Sequence, residues 1–184
     1  MTYTHEPRFI REIPPGDEKE RAVCHTCGFI DYVNPKIVAG AVVSDEQGRI
    51  LMCKRAIEPR AGFWTIPAGF MEERESVSEG ASREVWEEAR ARIEIDALIA
   101  IYTIPRISQV QMFFRARLTD PKIEAGPESL QVGLFHWQDI PMNDLAFPSV
   151  RWALEDWRAG LDQATPIPAQ RTQGDSFAPI DGVI

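Results

Sequence analysis

Seven glutamates fall between Gly69 and Ala91: Glu72, Glu73, Glu75, Glu79, Glu84, Glu87 and Glu88, a quarter of the 28 acidic residues in the chain. The same segment carries an apolar repeat at helical spacing. With ~100° of rotation per residue, Val77, Ala81, Val85 and Ala89 fall on one drifting stripe. Ser76-Val77-Ser78-Glu79 fits a capping box, so the pattern predicts a helix that starts at Ser76. On that wheel Glu84 and Glu88 lie only ~40° apart, and they flank the apolar face instead of opposing it. Glu87 sits on the adjoining polar edge. Neither Glu84 nor Glu88 is followed four residues later by a lysine that could neutralise it. A solvated charged face is one explanation of such a helix. A hard-cation site is the other, because Mg²⁺ or Mn²⁺ takes oxygen ligands, keeps several waters and is shared with substrate phosphates. Spacing alone leaves both open.

Charge bears on the choice. The chain has 184 residues, 44% of them hydrophobic, enough for one domain of ordinary size with a small appendage. Lys and Arg total 20 against 28 Asp and Glu, a net charge of -8. That balance argues against an electrostatic nucleic-acid binder, which needs a basic stripe to replace phosphate counterions. A phosphate ligand here requires a cation between it and the acidic surface. No uncharged apolar run approaches the ~18 residues that cross a bilayer, so no membrane partner is expected. The first residues show no basic segment leading into an apolar run, hence no secretory signal. Cys24, Cys27 and Cys53 are too few and too uneven for a disulfide framework, and a reducing, cytoplasmic setting is the expectation.

Along the chain, residues 1–34 read as polar and irregular, with Pro14-Pro15-Gly16-Asp17 as a turn. Ile37 to Val43 is a buried-strand run, and Asp45-Glu46-Gln47-Gly48 turns into a second strand, Arg49 to Arg55. Gly62 to Gly69 is a loop or short strand leading into the glutamate helix. Further strands are expected at Ala97 to Ile104, Val110 to Leu118 and Gly133 to Trp137. A second amphipathic helix fits Ser149 to Ala159, with Val150, Ala153, Leu154 and Trp157 on one face. Residues 161–184 are rich in Pro, Gln, Thr and Gly and are expected to be loosely ordered.

Gly69, five residues, Glu75, seven residues, then Arg83-Glu84-Val85-Trp86-Glu87-Glu88 resembles the Nudix box, the loop-helix-loop signature of Nudix hydrolases. Every charged position of the pattern is matched. The departure is the late glycine, which is Arg90 here, followed by Ala91 in place of a larger aliphatic. Glycine there suits a left-handed helix terminus, so the departure concerns the exit of the helix and leaves the carboxylates untouched. The resemblance extends over residues 35–160. It implies an α+β fold, an α/β/α sandwich around a mixed sheet, preceded by a small ribbon-like N-terminal segment.

Nudix enzymes hydrolyse a nucleoside diphosphate linked to another moiety, with divalent cations. By resemblance, Glu84 and Glu88 would be ligands of Mg²⁺ or Mn²⁺, joined by the backbone carbonyl of Ala68. Glu87 would be a further ligand or orient the attacking water. Arg83 and Glu75 would pair to hold the loop against the helix. Many members add an acidic residue from outside the box, as ligand or general base, and Glu128 is the candidate, with Glu124 the fallback. The substrate class implied is ADP-ribose, NADH or FAD, cleaved to AMP and the other phosphorylated half. Arg55, Lys54 and Arg106 are candidates to meet phosphate, and Gln109 and Gln111 stand where related enzymes place specificity residues. Phe63 and Trp64 offer stacking surface, with core packing the alternative. Dimers are common among such enzymes, which makes a homodimer an expectation by analogy.

Cys24-His25-Thr26-Cys27-Gly28 is similar to the second half of the zinc ribbon that often precedes the catalytic domain of NADH- and FAD-type Nudix pyrophosphatases. A structural Zn²⁺ needs four ligands, and no upstream Cys pair is present. His5 could give a third and Thr2 a poor fourth, so a decayed ribbon without zinc is the expectation. Cys53 reads as a buried small apolar residue. Two other classes stand beside the enzyme. A non-catalytic, nucleotide-sensing Nudix domain usually lacks box carboxylates, and none is lost here. A zinc-ribbon nucleic-acid module conflicts with the acidic charge and the incomplete ligand set.

Overall fold

The computed structural model describes residues 8–164 and 166–172. It forms two compact units, the first ending at Pro35 and the second starting at Lys36. The first is more regular than its polar sequence suggests. It is an antiparallel sheet in the order β1 (Phe9–Glu12), β2 (Arg21–Cys24), β3 (Ile30–Asp31). The predicted turn at Pro14 to Asp17 is closed by the Asp17 N–H on the Pro14 carbonyl at 3.0 Å, with Gly16 at φ 88°. Cys24 ends β2, and the chain reverses after it through Gly28 at φ 74°, with Gly28 N–H on the Cys24 carbonyl and Cys24 N–H on the Phe29 carbonyl, both at 2.8 Å. The N–H groups of Cys27 and Thr26 hold the Cys24 thiol below its usual range. Cys24 is buried and Cys27 exposed. Both are free thiols, and among the described residues no three His, Cys, Asp or Glu side chains group around them. His5 and Thr2 lie outside the described residues.

In the second unit the strands are β4 (Lys36–Ser44), β5 (Ile50–Arg55), β6 (Trp64–Thr65), β7 (Ala68–Phe70), β8 (Ile93–Ile104), β9 (Gln109–Leu118), β10 (Ser129–Phe135) and β11 (Ala169–Thr172). The sheet runs β10-β5-β4-β9-β8-β11, with β6 on β5 and β7 on β4. β4–β9 and β8–β11 are parallel and the other pairs antiparallel, which makes the sheet mixed, as expected. Alternation along the central strands explains the layering. Ala41, Val43, Leu51 and Cys53 pack under α1 (Val77–Ala89), whose Val85 and Ala89 join the same cluster. Val42, Ile50 and Met52 face the other way, onto Leu154 and Trp157 of α2 (Pro148–Ala159). Strands that bury both faces need a helix on each, hence the α/β/α sandwich. Among the described residues no helix is long and apolar enough to cross a membrane.

Three boundaries differ from the sequence reading. β8 starts at Ile93, because Ile93 and Ile95 pack beneath α1 while Glu94 and Asp96 reach Arg117 and Arg115 across the strand pair. β10 starts at Ser129, opposite Arg55, with a bulge before Gln131. The segment after Gly160, expected to be loose, contributes a strand. Arg115 holds the connection through the carbonyls of Gly160, Gln163 and Ala164, and β11 then pairs with β8 from Ala169↔Ala100 to Thr172↔Thr103. Thr103 and Thr172 share a hydroxyl hydrogen bond at 2.7 Å, and Arg171 pairs with Asp156 of α2.

Candidate active site

The site is built on the start and the inner edge of α1. Ser76 is the N-cap, and the expected capping box is complete: the Glu79 N–H donates to the Ser76 hydroxyl at 3.3 Å and the Ser76 N–H to the Glu79 carboxylate at 2.7 Å. Ahead of the helix, β7 pairs with β4 at Ala39↔Gly69 and Gly40↔Ala68, which lays this short strand beside α1. The Glu84 carboxylate is packed onto Gly69 so closely that a Cβ there would overlap it. Only glycine leaves that space.

Arg83 organises the acidic groups. Its guanidinium donates to Glu75 at 2.9 and 3.0 Å, to Glu84 at 2.7 Å, to Glu87 at 2.9 Å and to the Phe70 carbonyl at 2.9 Å. The Glu75 pairing is the one the resemblance implies. The partner of Glu84 and Glu87 precedes both in sequence, whereas a lysine four residues after Glu84 or Glu88 would follow them. The Arg83–Glu87 spacing of four was the signal available in the sequence. Hydrogen bonds from Arg83, then from the Glu72 N–H, hold Glu75 at about 2, and the same carboxylates push Arg83 up.

Burial grades the three helix carboxylates. Glu87 has half its side chain exposed, Glu84 only 12%, and Glu88 is 6% exposed. Burial raises Glu84, with Arg83 opposing. Glu88 is pushed up to about 8, chiefly by burial and further by the charges of Glu84 and Glu128, against the Ala68 N–H and the charge of Arg55. The Ala68 N–H reaches Glu88 at 3.4 Å. Beneath it, burial and the Glu88 charge push the Cys53 thiol well up, as suits a buried, unreactive cysteine.

Glu128 belongs to this group. Its charge acts on both Glu84 and Glu88, and its carbonyl accepts the Ala56 N–H at 2.8 Å. The segment before it straps the end of α1: Glu124 N–H binds the Ala89 carbonyl and Gly126 N–H the Glu88 carbonyl, each at 2.9 Å. Gly126 lies directly on the Glu87 carbonyl, where any Cβ would collide. Glu124 lines a separate cleft with Trp86, away from this group.

Arg55 is also brought in. Its Nε donates to the Pro59 carbonyl at 2.9 Å and its guanidinium stacks 5.2 Å from the Phe147 ring centroid, beside the acidic cluster. Lys54 rests 5.9 Å from the Trp64 ring. Trp64 packs edge-on against Phe135 at 5.0 Å, which favours the core reading, while Phe63 carries the Arg60 guanidinium at 4.8 Å. Arg106 and Gln109 are set apart. Gln109 pairs with Lys36, four positions along β4 from the Ala68 pairing, and accepts a hydrogen bond from Gln111 at 3.1 Å. Arg106 lies in the 3₁₀ turn just before it.

Every donor on this edge is a carboxylate or carbonyl oxygen, the ligand type of Mg²⁺ and Mn²⁺. Among the described residues no three acidic, His or Cys side chains form a group that could hold a metal ion, and Arg83 is paired with both Glu84 and Glu87. The fit rests instead on Glu88, a buried carboxyl whose ionised form added positive charge favours, with the Glu84 carboxylate packed onto Gly69 beside it in the helix.

The NUDIX domain model matches residues 34–155, and the Nudix N-terminal (zinc-ribbon) model matches residues 7–33. A crystal structure of a NUDIX hydrolase from Nitrosomonas europaea is 42% identical, with a TM-score of 0.86, covering 94% of this chain and 97% of that one. A MutT-like protein of Streptomyces ambofaciens is 40% identical over 80 residues, 44% of this chain and 49% of that protein, so the match spans about half of that relative's length. An ADP-ribose pyrophosphatase of Methanocaldococcus jannaschii is 25% identical over 114 residues, 60% of this chain and 67% of that protein. With the box residues gathered around Arg83 and two thirds of the chain inside the domain match, the protein belongs to the Nudix family.

Proposed function

We propose that the chain hydrolyses the pyrophosphate bond of a nucleoside diphosphate linked to a second moiety, in the presence of Mg²⁺ or Mn²⁺. ADP-ribose is the foremost substrate, with NADH and FAD in the same class, and the products are AMP and the other phosphorylated half. The observation that carries this reading is Glu88, more than nine-tenths buried at the junction of Glu84, Ala68 and Glu128 and held at about 8. The similarity to an ADP-ribose pyrophosphatase supports the substrate class.

Glu84, Glu88 and the Ala68 carbonyl would hold the cation, with Glu87 as a further ligand. Such an ion neutralises phosphate oxygens, aligns water for in-line attack and lowers its pKa. Arg83 fixes Glu84 and Glu87 in place through its bonds to both. Arg55, anchored at Pro59 and Phe147 beside the acidic cluster, would offer its remaining N–H groups to the diphosphate. Glu128 accepts the proton of the attacking water at a carboxylate oxygen as the new P–O bond forms and the bridging P–O bond breaks.

The test is hydrolysis of ADP-ribose with Mg²⁺ by the wild type and by Glu88→Ala. Turnover is expected in the first and not in the second, with the fold retained. Normal activity of Glu88→Ala would overturn the assignment, and calorimetric binding of ADP-ribose by the wild type without turnover would make the domain a nucleotide sensor instead.

A further inference from the structure

Arg90 stands where the Nudix box has glycine, and it adopts the left-handed conformation all the same, φ 49°, with its N–H on the Trp86 carbonyl. An arginine in that position directs a guanidinium where glycine would leave open space. The Arg90 guanidinium lies 5.7 Å from the Trp86 ring centroid and that of Arg92 lies 4.8 Å away. Trp86 itself is 41% exposed. Together with Lys122 these side chains line a cleft of about 500 Å³, whose other charged residues are Asp120 and Glu124.

The Arg90 guanidinium donates to the Trp86 carbonyl at 3.4 Å, and among the described residues no cation of this cleft is neutralised by a carboxylate. Six arginines of the described chain form ion pairs, and Arg90, Arg92 and Lys122 are among the cations that form none among the described residues. Asp120 spends a carboxylate oxygen on the Lys122 backbone N–H at 3.0 Å, within its own turn. Two arginines and a lysine without ion pairs around an open indole concentrate positive charge in a chain of net charge -8. The planar fork of arginine matches phosphate oxygens, and an indole offers a flat face to an aromatic base. A cleft of this size suits a mononucleotide.

We propose that the Trp86–Arg90–Arg92–Lys122 cleft binds a nucleoside phosphate, at a site separate from the acidic cluster. The base lies against Trp86, and the phosphate meets the guanidinium groups and the Lys122 ammonium. The strap that bonds to the Ala89 and Glu88 carbonyls lines this cleft, and none of Glu84, Glu87, Glu88 and Glu128 does.

The experiment titrates AMP into the full chain, with divalent cations chelated, and follows the indole N–H resonance of Trp86, assigned by its loss in Trp86→Phe. The expected result is a saturable shift of that resonance, weakened about tenfold or more in Arg90→Gly/Arg92→Ala, as loss of charge-assisted bonds implies. Arg90→Gly puts back the residue that a left-handed helix end favours, so the double variant keeps α1. Lys122→Ala, on the strap alone, is expected to weaken AMP as well. A Trp86 resonance that AMP does not move, or AMP affinity undiminished in both variants, overturns the proposal. AMP carries no pyrophosphate bond, so this outcome is independent of whether the chain hydrolyses ADP-ribose.

Discussion

The Glu84 carboxylate occupies the space that a Cβ on Gly69 would need. β7 is fixed at that point by its pairing with Ala39, so the strand cannot retreat. The obstacle is the end of a flexible side chain, and it is Glu84 that would move. Gly69→Ala is therefore expected to leave the fold in place, with Tm within a few degrees of wild type. Turnover of ADP-ribose with Mg²⁺ should fall by about 10²-fold, the scale of a misplaced catalytic group. A thermal melt and a steady-state assay on the same sample check both halves. Full activity in Gly69→Ala would mean that Glu84 is not held in a working position by this contact.

Glu88 makes the metal-free protein sensitive to pH in a definite direction. Its carboxyl sits at about 8 in the folded chain against an ordinary 4.5. Between those values the folded chain keeps a proton that the unfolded chain has released, so stability falls as pH rises through that window. The loss is a few kcal/mol in all. Urea unfolding in a chelating buffer at a series of pH values should show the decline, and Glu88→Gln should flatten it. Mg²⁺ should restore stability at the alkaline end, since a cation favours the ionised form. An equal slope in wild type and Glu88→Gln would place the titrating group elsewhere.

The helix and its carboxylates were legible because they depend on local rules. A capping box marks Ser76, and a period of 3.6 sets Glu84 beside Glu88 on the edge of the apolar stripe. The five bonds of Arg83 were not legible, because they require the Phe70 carbonyl, the loop glutamate and the helix face to converge at one guanidinium. The same holds for Arg55, whose Phe147 platform comes from the start of a helix some ninety residues on. The alternation of Ile93 and Ile95 with Glu94 and Asp96 is itself the period of a half-buried strand, so the true start of β8 is legible four residues ahead of Ala97. β11 was hidden: Gln170 and Thr172 carry no apolar signal, and its partner strand is distant in sequence.

That hidden strand is expected to matter for stability through Asp156. One carboxylate accepts the Tyr102 hydroxyl from β8 and the Arg171 guanidinium from β11, so it ties α2 to two strands. Tyr102 is fully buried as a residue, and burial followed by the Asp156 bond pushes its phenol well up. Asp156→Ala would leave that hydroxyl without its acceptor, at a cost of about 1–3 kcal/mol. Tyr102→Phe in the Asp156→Ala background should recover part of the loss, because no buried donor then goes unsatisfied. Urea melts of the single and double variants decide it, and an Asp156→Ala variant as stable as wild type would show that β11 and Tyr102 hold without this link.

The strap after β9 presents two glutamates to two different places, and the chemistry should separate them. Glu128 acts on Glu84 and Glu88, whereas Glu124 turns into the cleft beside Trp86. A general base must reach the proton it removes, so position excludes Glu124 before acidity is considered. Glu128→Gln is expected to lower kcat for ADP-ribose by about 10²–10⁴-fold while KM changes little, since a general base acts in the transition state. Glu124→Gln should keep kcat close to wild type. Its backbone N–H, which holds the Ala89 carbonyl, is unaffected by the change of side chain. Steady-state kinetics with saturating Mg²⁺ compare the pair directly. The reverse pattern, with Glu124→Gln impaired and Glu128→Gln intact, would move the base to the other end of the strap and require α1 and its strap to rearrange when substrate binds.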